Sequence, residues 1–473
     1  MKAGMAMRKF GQLGSMLLAG TALCLPVQAM AAISDAEAQA LRDQVAALTA
    51  RLEALEQRLA TREAAPVAAG GATIPAAAQL ASGGAKPKGT ITSIGWKGSP
   101  QFKSDDKLFK VKGRIQYDAG YVSAPPGSAD QGFGSGSETR RIRLGGEGKL
   151  GAGFGYKLEL ELSDNSVDLV DTFVTYEKGG WLLTVGNHNQ FQSLDELIGD
   201  TTGSTMERAA FTDAFNFERR LGVSAQYARG PWLAQFGLFS DDITALSNSS
   251  DGVNGGDENN SIGVDGRIVL APKIGKTQLH LGLSGHWRDL GRTADAGTRY
   301  RQRPYLHFSN SRVMTTPSMD VQQETHYGLE LAAVRGPWHF AGEGHWLTAS
   351  RPGLPDPTFF GGYAEFGYFL TDGDSRSYGK GILGGVDPRS PVGSGGIGAV
   401  QLNLRYDYLS LNDGPIQGGV QNGLIGAIVW TPINYLRFNL NYGYLRYSDI
   451  PASVSADSSF ALHTGGMRVE LDF

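Results

Sequence analysis

Cysteine is nearly absent from this chain, whose 473 residues contain only Cys24. Cys24 lies in an N-terminal segment that has the features of a cleaved signal. If that segment is removed, the mature chain has no thiol. No disulfide can then hold the fold, and no thiolate can bind a metal ion or act as a nucleophile.

Long apolar runs are also missing. The N terminus has a basic start and an apolar stretch, residues 13–27, followed by an A-x-A sequence at residues 29–31. This pattern predicts a secretory signal peptide over residues 1–31. A membrane anchor would need about 20 apolar residues, and this stretch is shorter. No later segment has about 18 consecutive apolar residues, which excludes a helical membrane span.

An excess of positive charge is absent as well. The formal net charge is −4, which argues against a nucleic-acid partner. Glycine is abundant, with 66 residues, and apolar residues are interleaved with polar ones. About 440 mature residues are enough for two or three soluble domains or for one large barrel. The glycine content and the interleaving favour the barrel.

A helical pattern follows the signal segment. Its apolar residues form a heptad seam: Leu41, Val45, Leu48, Leu52, Leu55 and Leu59. We predict a coiled coil over residues 32–63 that associates with other copies; the alternative is one amphipathic helix that lies on its own domain. Residues 64–89 are rich in Ala, Gly and Pro and predict a flexible linker. The barrel domain is expected over residues 90–473.

The rest of the chain alternates between apolar and polar residues, as in the C-terminal segment Met467–Phe473. Such alternation predicts strands with one apolar and one polar face. Sixteen segments show it, and bacterial single-chain outer-membrane barrels have an even number of strands. The segments span residues 108–122, 138–150, 153–163, 166–177, 180–187, 217–229, 231–240, 260–270, 277–289, 325–335, 337–349, 357–371, 397–411, 421–431, 434–448 and 460–473.

The connections and the tryptophans point to a transmembrane barrel more than to a soluble β-sandwich. Short connections alternate with long ones, as on the two rims of an outer-membrane barrel. Residues 372–396 break this rule, because they form a long connection on the short-turn side. Six tryptophans lie near predicted strand ends, where an aromatic girdle would be: Trp181, Trp232, Trp287, Trp338, Trp346 and Trp430.

The sequence resembles a known family, the phosphate-selective porins of the O and P type. The similarity covers about residue 90 to the end. It is carried by the stretches Lys112–Asp118, Arg140–Leu144, Phe154–Lys157, Met206–Ala209, Arg219–Val223, Gly362–Glu365, Tyr368–Thr371 and Arg405–Asp407.

The resemblance implies a homotrimer of 16-stranded antiparallel barrels in the outer membrane of a Gram-negative bacterium, with loops folded into each pore. Some relatives also carry a coiled coil on the periplasmic side. The expected partners are outer-membrane lipid, other copies of the chain and small anions or other small solutes. A terminal Phe like Phe473 resembles the signal that the barrel-assembly machinery recognises.

Arginines are the first candidate pore residues. Arg299, Arg301 and Arg303 occur at every second position, so an extended backbone places all three on one face. The planar guanidinium donates two hydrogen bonds at once and therefore suits an oxyanion. The resemblance assigns these residues to an arginine ladder, whereas a solvated extracellular loop is the alternative. Arg141 and Arg143 share a face that would be costly towards lipid, so we expect them in the lumen.

Further cations are expected along the same path. Arg140 has the wrong parity for the lumen, yet the family has an Arg there too. Lys110, Lys112 and Arg114 face inward by alternation. Two more cations, Lys380 and Arg389, lie in the long connection that the resemblance predicts to fold inward at the periplasmic end.

An acidic segment departs from the family pattern. Family members place a Lys in the inward loop at the narrowest point, but Leu194–Asp200 contains no Lys. It has three carboxylates instead, Asp195, Glu196 and Asp200. In a narrow pore one reversed charge shifts the local potential by several kT. We therefore leave open an anion-preferring, a cation-attracting or a mixed constriction.

The sequence thus predicts an outer-membrane porin for passive diffusion of small hydrophilic solutes, and no enzyme. The alternative function is a structural envelope protein that tethers the outer membrane through its coiled coil. No cofactor or metal site is predicted. A G-x-G-x-x-G pattern at residues 146–151 lies between two strands, which argues against a dinucleotide site. His280 and His286 share a lumen face, but sequence supplies no third partner for a hydrolase.

Overall fold

A computed structural model describes residues 93–128, 132–163, 166–241, 243, 261–291 and 297–473. Sixteen long strands dominate it. They are β1 (Lys107–Val122), β2 (Gly134–Gly151), β3 (Phe154–Glu161), β4 (Asp168–Lys178), β5 (Trp181–Asn189), β6 (Arg219–Arg229), β7 (Trp232–Phe239), β8 (Ile262–Leu270), β9 (Thr277–Asp289), β10 (Gln323–Arg335), β11 (Trp338–Ser350), β12 (Thr358–Phe369), β13 (Ala399–Asp413), β14 (Ile416–Ile433), β15 (Leu436–Ser448) and β16 (Phe460–Asp472).

Each strand pairs antiparallel with the next, and β16 pairs with β1, so the sheet closes into a barrel. The last residue completes this seam. The backbone N–H of Phe473 donates to the carbonyl of Gly113 at 2.9 Å, and the Gly113 N–H donates back at 3.0 Å. A Cβ at position 113 would lie 2.2 Å from the Phe473 ring, so only glycine fits beside the terminal aromatic.

The outer face of the barrel is apolar, since every second side chain of each strand points out. Leu283, Leu329 and Leu404 are examples, each about half exposed. Four tryptophans lie near the rim with the short turns (Trp181, Trp232, Trp338 and Trp430), and two lie nearer the rim with the long loops (Trp287 and Trp346). An apolar band between aromatic girdles is what a lipid bilayer requires of a barrel.

The remaining elements are short. Two strands, Ser93–Trp96 and Pro100–Ser104, form a hairpin that pairs with the start of β1. Five two-residue strands are Lys273–Ile274, Arg301–Gln302, Met314–Thr315, Tyr378–Gly379 and Ile382–Leu383. The helices are α1 (Leu194–Leu197) and α2 (Ala210–Ala214). No helix in the described ranges has the length and apolarity needed to cross a membrane.

The hydrophobic core lies inside the barrel, where three connections pack against the wall. We call them the constriction loop (residues 190–218), the cover loop (residues 297–322) and the inward turn (residues 370–398). Phe211 of the constriction loop and Leu306 of the cover loop are almost fully buried in this core. These three connections therefore fill part of the lumen.

The predicted fold class is confirmed, with sixteen antiparallel strands in a closed barrel. Several boundaries differ: β2 begins at Gly134, and β14 extends to Ile433 through Pro432. Pro432 was expected in a turn, but the register shifts between Trp430 and Ile433, where a proline is tolerated. The predicted signal peptide (1–31), coiled coil (32–63) and linker (64–89) lie outside the described residues.

Candidate functional site: a charged neck in the barrel

One wall carboxylate holds the start of α1 in the constriction loop. Glu343 of β11 accepts hydrogen bonds from the Ser193 hydroxyl and the Leu194 N–H, both at 2.9 Å, and from the Asp195 N–H at 2.6 Å. Its side chain is buried. The loop thus begins α1 directly on a lumen-facing anion, which places the acidic segment that follows.

The Asp195 carboxylate stabilises the constriction loop through contacts within the loop and with the barrel wall. Its carboxylate accepts hydrogen bonds from the Ala209 N–H and the Thr212 hydroxyl, both at 2.9 Å, and lies 3.6 Å from Arg405. These contacts tie α1 to α2 and to β13. A buried carboxylate with this many donors is a folding element, so it offers little charge to a passing ion.

Asp200 lies among four guanidinium groups. Its carboxylate is 3.0 Å from Arg208, 3.1 Å from Arg141, 3.2 Å from Arg114 and 3.8 Å from Arg143. Burial alone would raise the pKa of this carboxyl, but the arginines, with Arg141 and Arg208 foremost, hold the pKa well below its usual range. Asp200 is therefore ionised at neutral pH and is the internal counter-ion of the arginines.

Glu196 is the third acid of the segment. It lies 3.2 Å from Arg208 of the same loop. Burial raises its pKa to about 7, and the attraction of Arg208 opposes this only in part. Its charge therefore changes across the neutral pH range, unlike that of Asp200.

Arg140 enters the lumen in spite of its parity, because β2 has a bulge at this position. The register shifts so that Arg141 lies opposite Gln116 and Thr139 lies opposite Tyr117, which leaves Arg140 unpaired in the ladder. Arg140 and Arg141 thus point to the same side. The Arg140 guanidinium is 3.3 Å from Glu207 of the constriction loop.

Glu207 links the constriction loop to β2 and β16, two strands that are far apart in the sequence. It pairs with Arg140 of β2 and, at 2.5 Å, with Arg468 of β16, which also binds Asp118 at 2.7 Å. Burial would raise the pKa of Glu207, but the neighbouring Arg140 and Arg468 lower it far below its usual value. The carboxylate therefore stays charged and holds the loop near β2.

Three spaces inside the barrel are bordered by arginines or lysines. A cavity of about 190 Å³ lies beneath the cover loop and is bordered by Arg140, Glu207, Arg208 and Arg303. A space of about 30 Å³ adjoins it, bordered by Arg141, Asp200, Glu207 and Arg208. This neck has room for only one or two water molecules. It is the smallest of the three spaces.

The third space is a vestibule of about 950 Å³ at the short-turn rim. Six lysines border it (Lys103, Lys107, Lys149, Lys157, Lys178 and Lys380), against four carboxylates (Asp105, Asp106, Glu147 and Glu177). Lys157 connects the vestibule to the neck, because it lies 3.6 Å from Glu159, which pairs with Arg143 at 3.5 Å. Lys110 and Lys112 share the lumen face of β1 with Arg114.

The candidate residues of the cover loop and the inward turn differ in how close they lie to the spaces inside the barrel. Arg303 borders the 190 Å³ cavity and pairs with Asp213 at 3.2 Å. Arg299 and Arg301 are exposed on the same face of the cover loop, whereas Tyr300 between them and Gln302 after them are buried. In the inward turn, Lys380 borders the vestibule, whereas Arg389 is exposed and its backbone N–H donates to Asp374.

Sequence reasoning missed several charged residues that the structure places here. Arg208 is the most important, because it contacts both Glu196 and Asp200 from within the same loop. Arg376 of the inward turn donates to the Thr202 carbonyl at 2.6 Å and to the Ser204 hydroxyl at 2.8 Å. Arg208 stands inside a stretch that carries the family resemblance. Nothing in the local pattern of Arg376 predicts its contacts with a loop 170 residues away.

His280 and His286, which the sequence places on one lumen face, are both hydrogen-bonded. His280 bonds to Glu330 at 2.9 Å and to the Tyr378 hydroxyl at 2.7 Å, and His286 bonds to Asp265. These bonds connect the wall to the inward turn and to neighbouring strands. Among the residues that the structure describes, no group of three or more His, Cys, Asp or Glu side chains is placed to hold a metal ion.

A closed barrel of sixteen strands, apolar outside and charged inside, is the architecture of an outer-membrane channel. The sequence comparison agrees: the model of the family "Phosphate-selective porin O and P" matches residues 109–473. The chain belongs to this family, so it forms a channel in the outer membrane, and family and fold imply a channel rather than an enzyme.

Individual relatives are similar over most of the chain. An uncharacterized protein of Caulobacter vibrioides is 58% identical, over 97% of this chain and 95% of its own length. Among solved structures, an anion-selective porin from Comamonas acidovorans is 14% identical with a TM-score of 0.47, and covers 78% of this chain and 100% of its own. The trimer form of Vibrio cholerae OmpT is 9% identical with a TM-score of 0.49, with the same coverage.

Proposed function

We propose that this channel conducts small hydrophilic solutes by passive diffusion and prefers anions modestly. The observation that carries the preference is the vestibule, where six lysines face four carboxylates next to a neck lined by arginines. Lumen charge of one sign raises the local concentration of counter-ions. The excess of lysines over carboxylates is small, so we expect a modest preference for anions over cations.

The neck provides hydrogen-bond donors that can replace the water molecules which an anion loses on entry. Because the space is close to the size of one or two waters, an ion has to shed part of its hydration shell. The four guanidiniums around Asp200 carry fixed N–H donors that can replace this water. Their charge is nearly balanced, however, because Arg114, Arg141, Arg143 and Arg208 pair in the structure with five carboxylates: Glu159, Glu161, Glu196, Asp200 and Asp472. We therefore assign a mixed constriction within an anion-preferring path.

Reversal potential in a KCl gradient tests this proposal. Purified protein in a planar bilayer should give ohmic single channels with a permeability ratio of chloride to potassium above one. A ratio below one would refute the anion preference but keep the channel. Absence of any conductance would refute passive diffusion itself.

We also propose that the channel is a homotrimer and that Phe473 is read by the barrel-assembly machinery. Family membership supports the trimer, and the position of Phe473 at the closing seam supports its involvement in assembly. Mass measurement in detergent tests the first. For the second, Phe473→Ser should lower the amount of heat-modifiable protein in outer-membrane fractions.

A second function rests on residues 32–63, whose predicted coiled coil would tether the outer membrane through the periplasm. Deletion of this segment separates the two functions, because the barrel does not need it to close. Cells with the deletion should keep the conductance and show a looser envelope, measured as vesicle shedding. Unchanged shedding would remove the tether.

A further inference from the structure

The hairpin Ser93–Ser104 has two unlike faces. Gln101 and Lys103 border the vestibule, so one face continues the lumen wall. On the opposite face, Ile94 lies across from Phe102, and Phe102 lies across from Phe109 of β1. Phe109 is on the lipid side of β1, because Lys110 and Arg114 are on the lumen side. The outer face of the hairpin is therefore a lateral continuation of the lipid-facing surface.

This face is strongly exposed. Ile94 is 73% exposed and Trp96 is 72% exposed, which are the highest values among the large apolar residues of the described chain. Phe102 and Phe109 stack with ring centroids 6.2 Å apart, and 38% and 40% of their surfaces are exposed. An apolar surface of this kind needs a cover. From Phe109 of β1 the apolar row continues into the aromatic girdle of the same rim, because Tyr156 of β3 lies two strands from Phe109.

The hairpin is held firmly at this height. The Ser99 hydroxyl donates to the carbonyl of Val111 at 2.5 Å, and Ser99 is fully buried. A Cβ at Gly98 would lie 2.7 Å from the Tyr435 ring, so the turn packs closely on the next rim segment. Strand Pro100–Ser104 occupies the edge of β1 that β16 leaves free beyond Arg114. The apolar face thus has a fixed direction.

The charges around the hairpin suit a phospholipid surface. Lys97 at its tip is exposed and is the next residue after Trp96 of the apolar row. Trp combined with Lys is typical of segments at the membrane interface, where the ring meets the headgroups and the ammonium meets phosphate.

We propose that the hairpin Ser93–Ser104 is an interfacial anchor, with Ile94, Trp96 and Phe102 inserted in the phospholipid leaflet at the short-turn rim. The anchor holds the start of the described chain against the membrane surface. This inference is independent of the ion preference, because it concerns the outer face alone.

Spin labels on single cysteines test the anchor, since the protein without its predicted signal has no other thiol. Ile94→Cys and Trp96→Cys probe the apolar face, and Gln101→Cys and Lys103→Cys are matched controls on the lumen face. Each labelled protein is placed in vesicles of phosphatidylethanolamine and phosphatidylglycerol. Collision rates with oxygen, which enters lipid, and with a water-soluble nickel chelate are then measured.

We expect the oxygen-to-nickel ratio to be severalfold higher at positions 94 and 96 than at positions 101 and 103. Equal ratios at all four positions would overturn the proposal. Labels at 94 and 96 that are immobile and reached by neither reagent would also overturn it, because a second protein copy would then cover the face. Conductance of the Ile94→Cys and Trp96→Cys variants reports separately on whether the channel is intact, because these two positions lie outside the vestibule lining.

Discussion

Replacement of Asp200 by Asn is the sharpest test of the neck. The substitution keeps the size of the side chain and removes one negative charge from a site within 3.8 Å of four guanidiniums. The arginines then have one counter-ion fewer. We expect the permeability ratio of chloride to potassium to rise.

The size of the effect follows from Coulomb's law. For an ion that passes about 7 Å from the carboxylate in water-like surroundings, one unit charge is worth about 0.6 kcal/mol. The anion gains what the cation loses, so the difference between them is about 1.2 kcal/mol, or roughly an eightfold change in the permeability ratio. A lower dielectric inside the neck makes the change larger, so about eightfold is a lower bound.

The assay is the reversal potential of single channels at low salt, because at about 0.1 M the screening length is only about 10 Å. Asp356→Asn is the matched control: it removes the same charge from an exposed loop, where Asp356 binds the backbone of Arg351. The control should leave the ratio unchanged. If Asp200→Asn also leaves it unchanged, or shifts it towards potassium, the arginine cluster does not face the conduction path.

Four further predictions follow from the same contacts. Burial raises the pKa of Glu196 to about 7 and the group is neutral below it, so the chloride preference should be larger at pH 5 than at pH 8, and Glu196→Gln should reduce this pH dependence in reversal potentials. Combined replacement of Arg299, Arg301 and Arg303 by Ala should lower chloride permeability, whereas unchanged selectivity would remove these residues from the path. Arg376→Met cuts three hydrogen bonds, to Thr202, Ser204 and Gly384, and should increase open-channel noise in current traces while the barrel stays heat-modifiable. Gly113→Ala should weaken the seam at Phe473 and lower the temperature at which the barrel loses its heat-modifiable gel mobility, because a Cβ there would meet the ring.

Sequence alternation was sufficient to predict the sixteen strands and the lumen side of Arg114, Arg141 and Arg143. It works because one face of every strand meets lipid and the other meets water, so parity is imposed along the whole barrel. Arg140 shows where it fails. A bulge adds one residue to the strand and moves a side chain to the other face, and no local residue pattern marks it.

The partners of the acidic segment could not be predicted in the same way. Asp195, Glu196 and Asp200 are three carboxylates close together in the sequence, and this pattern left open an anion-preferring, a cation-attracting or a mixed constriction. In the structure their partners come from β1, β2, β13 and the far end of the same loop. Such pairings depend on how the loop crosses the barrel, and period-2 alternation contains no information on that path.

Asp200 also explains how an arginine cluster can conduct. Without Asp200, the four guanidiniums around it would have fewer counter-ions, would repel each other more strongly and would hold an entering anion too tightly to release it. A resident carboxylate lowers both costs, because it satisfies the arginines when the neck is empty. An entering anion then competes with Asp200 for the same N–H donors and gains only the difference between the two sets of bonds. Asp200, the acidic residue that departs from the family pattern, therefore limits the affinity of the neck for anions. The Asp200→Asn channel should bind anions more tightly and also select them more strongly over cations.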